Sequence, residues 1–228
     1  MLLTFQSLNI LNTPFMEKIL ALAVMSFALF NQFVQGGTGW NSSYNYIYNG
    51  AADVYYDLNG SGQAAGNFNS ANLGTYDTSL GSGVGSSLFL NSQINAWAND
   101  GDSYSNFSLW YRVYSGSASG TFTQISAGSI NNVGGDNWQG LATGANLLVG
   151  RANGTYTVET YLSRTHNWSG GSQINYLLTS GNTTSIPSSN YFTATYQVIP
   201  EPSTYALLTL AAGGLGAHVI RRRRLRRQ

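Results

Sequence analysis

Apolar and polar residues alternate along most of the chain. In 107–114, "FSLWYRVY", Phe107, Leu109, Tyr111 and Val113 share one face, with Trp110, Arg112 and Tyr114 on the other. In 154–164, "GTYTVETYLSR", Tyr156, Val158, Thr160 and Leu162 alternate with Thr157, Glu159 and Tyr161. In 190–198, "NYFTATYQV", Phe192, Ala194, Tyr196 and Val198 face in while Thr193, Thr195 and Gln197 face out. Successive side chains leave a strand on opposite sides, so a period of two marks a half-buried strand. Further strands are predicted at 44–48, 52–58, 86–90, 93–98, 120–126, 146–149 and 174–178. The breaks between them carry turn chemistry, as at Asn49-Gly50, Asn59-Gly60 and Asn153-Gly154, where residues tolerant of positive φ are needed. No stretch between 37 and 199 keeps a helical period, and no strong internal repeat is visible. The pattern predicts an all-β protein, an antiparallel β-sandwich.

Two segments depart from this pattern. Met16-Glu17-Lys18 precedes "ILALAVMSFALF" at 19–30, twelve apolar or small residues interrupted only by Ser26. That length suits the core of a secretory signal and falls short of the ~20 residues that span a bilayer. Val34-Gln35-Gly36 offers modest side chains to a signal peptidase, which places a signal peptide at 1–36 and implies passage through the Sec translocon. Residues 1–15 carry no charge and include Pro14, which makes Met16 an alternative start.

The second segment has three parts. Pro200-Glu201-Pro202 has two fixed φ angles and two missing donors, which force an extended, unpaired backbone. "TYALLTLAAGGLGAHVI" follows at 204–220. As a helix it would be roughly 26 Å long, at the low end of what crosses the inner membrane. Arginines fill 221–227 apart from Leu225, a cluster that stays cytoplasmic by the positive-inside rule. The order predicts an exported domain at 37–199 held by a membrane helix at 204–220.

At these residues, "VIPEPSTYALLTLAAGGLGAHVIRRRRLRR" (198–227) resembles the PEP-CTERM sorting signal of Gram-negative bacterial surface proteins. The resemblance implies that Pro200, Glu201, Pro202 and the adjacent Ser203 form the motif processed by exosortase, a membrane-embedded cysteine transpeptidase. It implies that Arg221, Arg222, Arg223 and Arg224 are the basic stop of a signal spanning 200–227. It names a destination, the cell surface or a biofilm matrix rich in exopolysaccharide, and no activity. "LLVGRANGTYTVETYLSR" (147–164) is similar to the penultimate hairpin of bacterial immunoglobulin-like surface domains. This implies an immunoglobulin-like or jelly-roll-like sandwich. Tyr156 would pack at its corner and bond the backbone upstream, or serve as an ordinary core tyrosine.

Composition narrows the chemistry. Only 8% of residues are charged, against about 25% in ordinary soluble proteins, while 13% aromatics give ample apolar area to bury. Between 37 and 199, Arg112, Arg151 and Arg164 face Asp53, Asp57, Asp77, Asp100, Asp102, Asp136 and Glu159, a formal balance of −4. A mildly acidic domain has no electrostatic footprint for nucleic acid. The absence of cysteine excludes disulfides, thiol catalysis and thiolate metal sites.

His166 is the one histidine between 37 and 199 and lies in "RTHNWSGG", which reads as a loop after a strand. No Gly-x-Ser-x-Gly elbow accompanies it, and nothing in the spacing converges carboxylates on it for zinc. The chain is therefore not expected to be an enzyme, although carboxylates paired in space for glycoside hydrolysis leave no sequence signal. No cofactor is expected, with calcium as the exception to test. Asp57 and Asn59 match early positions of an EF-hand-type loop whose twelfth position is Phe68, and Asp100 and Asp102 lie in the turn "NDGDS". The five tryptophans and fifteen tyrosines suggest stacking on sugars. Trp138 in "GGDNWQG" and Trp168 in "THNWSGG" read as lying in Gly-rich loops, whereas Trp97 and Trp110 read as buried strand residues. The expected role is structural or adhesive, with a carbohydrate-binding module for exopolysaccharide as the alternative.

Overall fold

The computed structural model describes residues 38–59, 65–77, 85–99, 101–199 and 209–210. Its strands in chain order begin with β1 (Thr38–Trp40), β2 (Tyr44–Tyr48), β3 (Asp53–Asp57), β4 (Ala71–Asp77), β5 (Phe89–Ala98) and β6 (Ser103–Tyr114). They continue with β7 (Thr123–Ser126), β8 (Ile130–Gly134), β9 (Asn137–Asn146), β10 (Gly154–Trp168), β11 (Gly171–Leu178), β12 (Gly181–Thr183) and β13 (Phe192–Ile199). The all-β sandwich expected from the alternation is the observed fold.

One sheet runs β3-β2-β5-β9-β8, with β1 added end to end with β2 along β5. The other is built on β10. β6 pairs with one edge of β10, while β13 and β11 share its other edge in succession, β13 along 154–160 and β11 along 162–168. β7, β12 and β4 extend this sheet from β6, β11 and β13.

Several expected elements change. The strands at 86–90 and 93–98 fuse into β5, whose pairing with β9 shifts register between Leu90 and Ser92. Residues 147–150 are a turn rather than part of a strand at 146–149. The Leu148 N–H donates to Asn146 Oδ1 (3.0 Å), so the asparagine folds the backbone back on itself. The sheets are not wholly antiparallel, because β4 joins β13 in parallel. β10 carries on through "RTHNW", the segment read as a loop, since Arg164 and His166 occupy core-facing positions that break the apolar alternation.

The core lies between the sheets, where Leu90 and Ile94 meet Phe107, Leu109, Val158, Leu162, Phe192 and Val198. Each fully buried side chain of this size contributes about 1.5–3 kcal/mol. The sheets approach closely at Gly140, where an added Cβ would lie 2.8 Å from Phe107 Cδ2. Hydrogen bonds tie the layers together. Asn45 Nδ2 donates to Thr160 Oγ1 (3.1 Å), the Tyr104 hydroxyl to the Trp97 carbonyl (2.6 Å), and the Tyr196 hydroxyl to the Leu147 carbonyl (2.7 Å). The Tyr156 hydroxyl donates to the Ala152 carbonyl (2.8 Å), and its ring stacks on buried Tyr196 (5.5 Å). Tyr156 is thus a corner tyrosine that also packs against the core.

The outer sides of the two sheets differ. On the β10 sheet, Phe122 and Tyr191 pack against Tyr161, Tyr176, Leu178 and Trp110. Arg112 lies over Phe122 (4.6 Å) while pairing with Glu159 (2.6 Å), so connecting segments cover this face. On the β5 sheet, Tyr48 and Tyr55 remain exposed.

Candidate functional site

β13 places the sorting segment. It pairs with β10 on one side, Gly154 opposite Val198, and with β4 on the other, Val198 opposite Tyr76 and Ile199 opposite Asp77. Val198 is buried in the core. The sandwich therefore reaches Ile199 with no intervening linker, and the next residue, Pro200, has no N–H with which to continue a ladder. Pro200, Glu201, Pro202 and Ser203 lie outside the described residues, as do Arg221 to Arg224, Asp100 and the whole of 1–37 with Met16. Of 204–220, only Thr209 and Leu210 are described, both helical and exposed. Among the described residues, no helix is long and apolar enough to cross a membrane.

Trp138 and Trp168 are not loop residues. Trp138 sits near the start of β9, half-buried against the core, and Trp168 closes β10. They belong to one row of rings: Trp138 meets Tyr104 edge-on (6.3 Å), Tyr104 meets His166 (5.5 Å), and His166 stacks on Trp168 (5.1 Å). Gly170 makes room for this stack, because a Cβ there would fall 2.7 Å from Trp168 Nε1. The two tryptophans are thus joined by filled space.

His166 is buried, and its Nε2 lies 2.9 Å from Asp102 Oδ2. The loop histidine expected from the sequence is instead a strand residue that pins Asp102 to β10. Beside it, Arg164 is fully buried between the rings of Trp40 (4.4 Å) and Tyr104 (4.8 Å). Its Nη1 donates to the Gly39 carbonyl, and Nε and Nη2 have no hydrogen-bond partner among the described residues. Burial lowers the Arg164 pKa to about 10. Burial also raises Tyr104, against the pull of this cation.

The calcium candidates that are described, Asp57, Asn59 and Asp102, have protein partners. Asp57 Oδ1 accepts from the Asn59 N–H (3.3 Å), Asn59 Oδ1 accepts from the Ser43 N–H (3.0 Å), and Phe68 is a core residue. Asp102 is engaged by His166. Among the described residues, no group of three or more His, Asp or Glu side chains could hold a metal ion.

Sequence reasoning placed Trp97 in the interior, yet it is 37% exposed. It alternates outward along β5 from buried Ala96 and Ala98. Its indole occupies the space above Gly39, where a Cβ would lie only 2.2 Å from Nε1. The outward tyrosines were also overlooked, although "YNYIY" signals them, with Asn45 and Ile47 inward and Tyr44, Tyr46 and Tyr48 outward.

Residues 198–224 match the family model of the PEP-CTERM protein-sorting motif. The match begins on the last two residues of β13. No curated protein matches the chain. The chain carries this sorting motif, which supports an exported precursor processed by exosortase at the membrane.

Proposed function

We propose that this is a non-enzymatic surface or matrix protein. It is exported through the Sec translocon, held at the inner membrane by 204–220 and released by exosortase at Pro200-Glu201-Pro202. The mature sandwich then serves a structural or adhesive role at the cell surface or in an exopolysaccharide-rich matrix. The observation that carries the reading is the sorting motif starting inside β13. A strand locked on both edges hands the chain directly to a segment that cannot pair, so cleavage there leaves the core intact. The test is fractionation of cells making the parent or a Pro200→Ala/Pro202→Ala variant. The parent should be in the surface or matrix fraction and the variant in the inner membrane; equal release of both would refute the reading.

Polysaccharide binding is the second reading, favoured by the exposed aromatic and half-buried amide side chains on the outer face of the β5 sheet. Calcium is given no role, since the candidate side chains that are described already serve local turns and the His166 contact.

A further inference from the structure

We propose that the outer face of the sheet formed by β3, β2, β5 and β9 binds an extended neutral polysaccharide. The inference rests on the second reading above and gives it a site. Two groups of side chains make the surface. On β2 and β3, the Tyr55 ring stacks on Tyr46 (5.5 Å, 29°) and meets Tyr44 edge-on (5.4 Å, 76°). Tyr55 is 39% exposed, so aromatic faces held by one another stand open to solvent. Such faces suit the C–H side of a sugar ring, which is apolar while its rim carries hydroxyls.

The second group is an amide network on β5 and β9. Gln93 Nε2 and Gln139 Nε2 both donate to Asn95 Oδ1 (3.3 and 3.2 Å). Asn95 Nδ2 in turn donates to the Ser42 carbonyl (2.5 Å). Each glutamine is thereby fixed through its nitrogen, and its carbonyl oxygen remains an oriented acceptor for a hydroxyl. Beyond them along β5 stands Trp97, seated on Gly39. Tyr46 lies opposite Asn91; from there to Trp97 is six residues of strand, about 20 Å. That span suits a polymer rather than a single sugar.

Charge selects the class of polymer. Of the sandwich's three arginines, Arg112 is paired with Glu159 on the other sheet, Arg164 is buried, and Arg151 lies over Tyr156. None is available to neutralise a uronate or phosphate on this face. Asp53, exposed on β3 opposite Tyr48, would repel one.

The test is native electrophoresis of the full-length chain in a non-glycosidic detergent, through gels containing dextran, hydroxyethylcellulose, galactomannan or, as the anionic control, alginate. At least one neutral polymer should retard the parent, and alginate should not. Tyr46→Ala/Tyr55→Ala should weaken retardation about tenfold or more, and Gln93→Ala/Gln139→Ala, which leaves the rings in place, should weaken it as well. Trp168→Ala should leave it unchanged. Retardation that survives both double variants but is lost in Trp168→Ala moves the ligand to the end of β10 and overturns this site alone. Retardation by none of the neutral polymers overturns the site and the polysaccharide reading together. A doubled mass in light scattering, lost in the tyrosine variant and unaffected by polymer, assigns the face to a second copy and overturns the proposal.

Discussion

Arg164 carries the sharpest local tension in the sandwich. Taking a guanidinium out of water costs several kcal/mol, and among the described residues no carboxylate pairs with it. Two aromatic faces and one carbonyl stand in for the missing partner, and each face offsets about 2 kcal/mol when desolvated. With Nε and Nη2 unpaired, the charge contributes little net stability while the side chain's volume contributes packing. Arg164→Met should therefore unfold within about 1 kcal/mol of the parent, and Arg164→Ala should lose roughly 2–5 kcal/mol by opening a cavity. Urea midpoints of the two variants decide this, and equal losses would show that the cation itself is required. His166 and Asp102 behave differently, because each satisfies the other in a buried setting. Asp102→Ala leaves the imidazole without its partner and should cost about 1–3 kcal/mol in the same assay.

At the scale of elements, the Tyr156 hydroxyl ties the start of β10 to the turn before it. Tyr156→Phe should lower stability by about 1 kcal/mol, read as a fall in melting temperature; no fall would reduce this tyrosine to its packing. β1 has only three residues, and the Trp97 indole rests on it at Gly39. Gly39→Val should expel that indole, shifting tryptophan emission to the red and loosening β1. Of the strands legible in the sequence, β6 and β13 carry the clearest signal, with Phe107, Leu109, Phe192, Tyr196 and Val198 inward; β2, β3, β7 and β11 were legible as well. β9 was not legible because its inward positions include Gly140, Ala142 and Ala145, small residues that leave no apolar alternation, and at Gly140 Phe107 of the other sheet leaves no room for a side chain. β10 was legible only to Arg164, after which the buried positions turn polar. The sorting motif was readable because its three parts are contiguous and each acts through its own composition. The tyrosines of the aromatic face carried a signal in the alternation of "YNYIY", but the exposure of Trp97 did not, since it depends on Gly39 being brought beside it by the pairing of β1 with β5. A contact so distant in sequence leaves no periodic trace.

At the scale of the molecule, buried phenols set the alkaline limit of stability. Tyr76, Tyr161 and Tyr196 are each raised from 10.0 to about 12, above all by burial. A raised pKa means that the folded state holds the proton more tightly. The stabilisation is complete below pH 10 and is lost as pH rises through about 12. Arg164 acts in the opposite sense, its lowered pKa favouring the folded state increasingly as pH rises above about 10. The three tyrosines outweigh the single arginine, so the sandwich should unfold between pH 10 and 12, with the last tyrosines ionising as the sheet signal collapses. Ionisation of all fifteen near pH 10 in an intact sheet would contradict that burial. The same compact body bears on sorting. β13 is held by β10 and β4 up to Ile199, and the sorting motif begins on that strand, so the sandwich lies immediately in front of the cleavage segment. Mass spectrometry of the C-terminus of the protein recovered from the cell surface or matrix tests this most directly. A terminus between Pro200 and Ser203 is the predicted result; a mature protein that still carries Arg221 to Arg227 would contradict it.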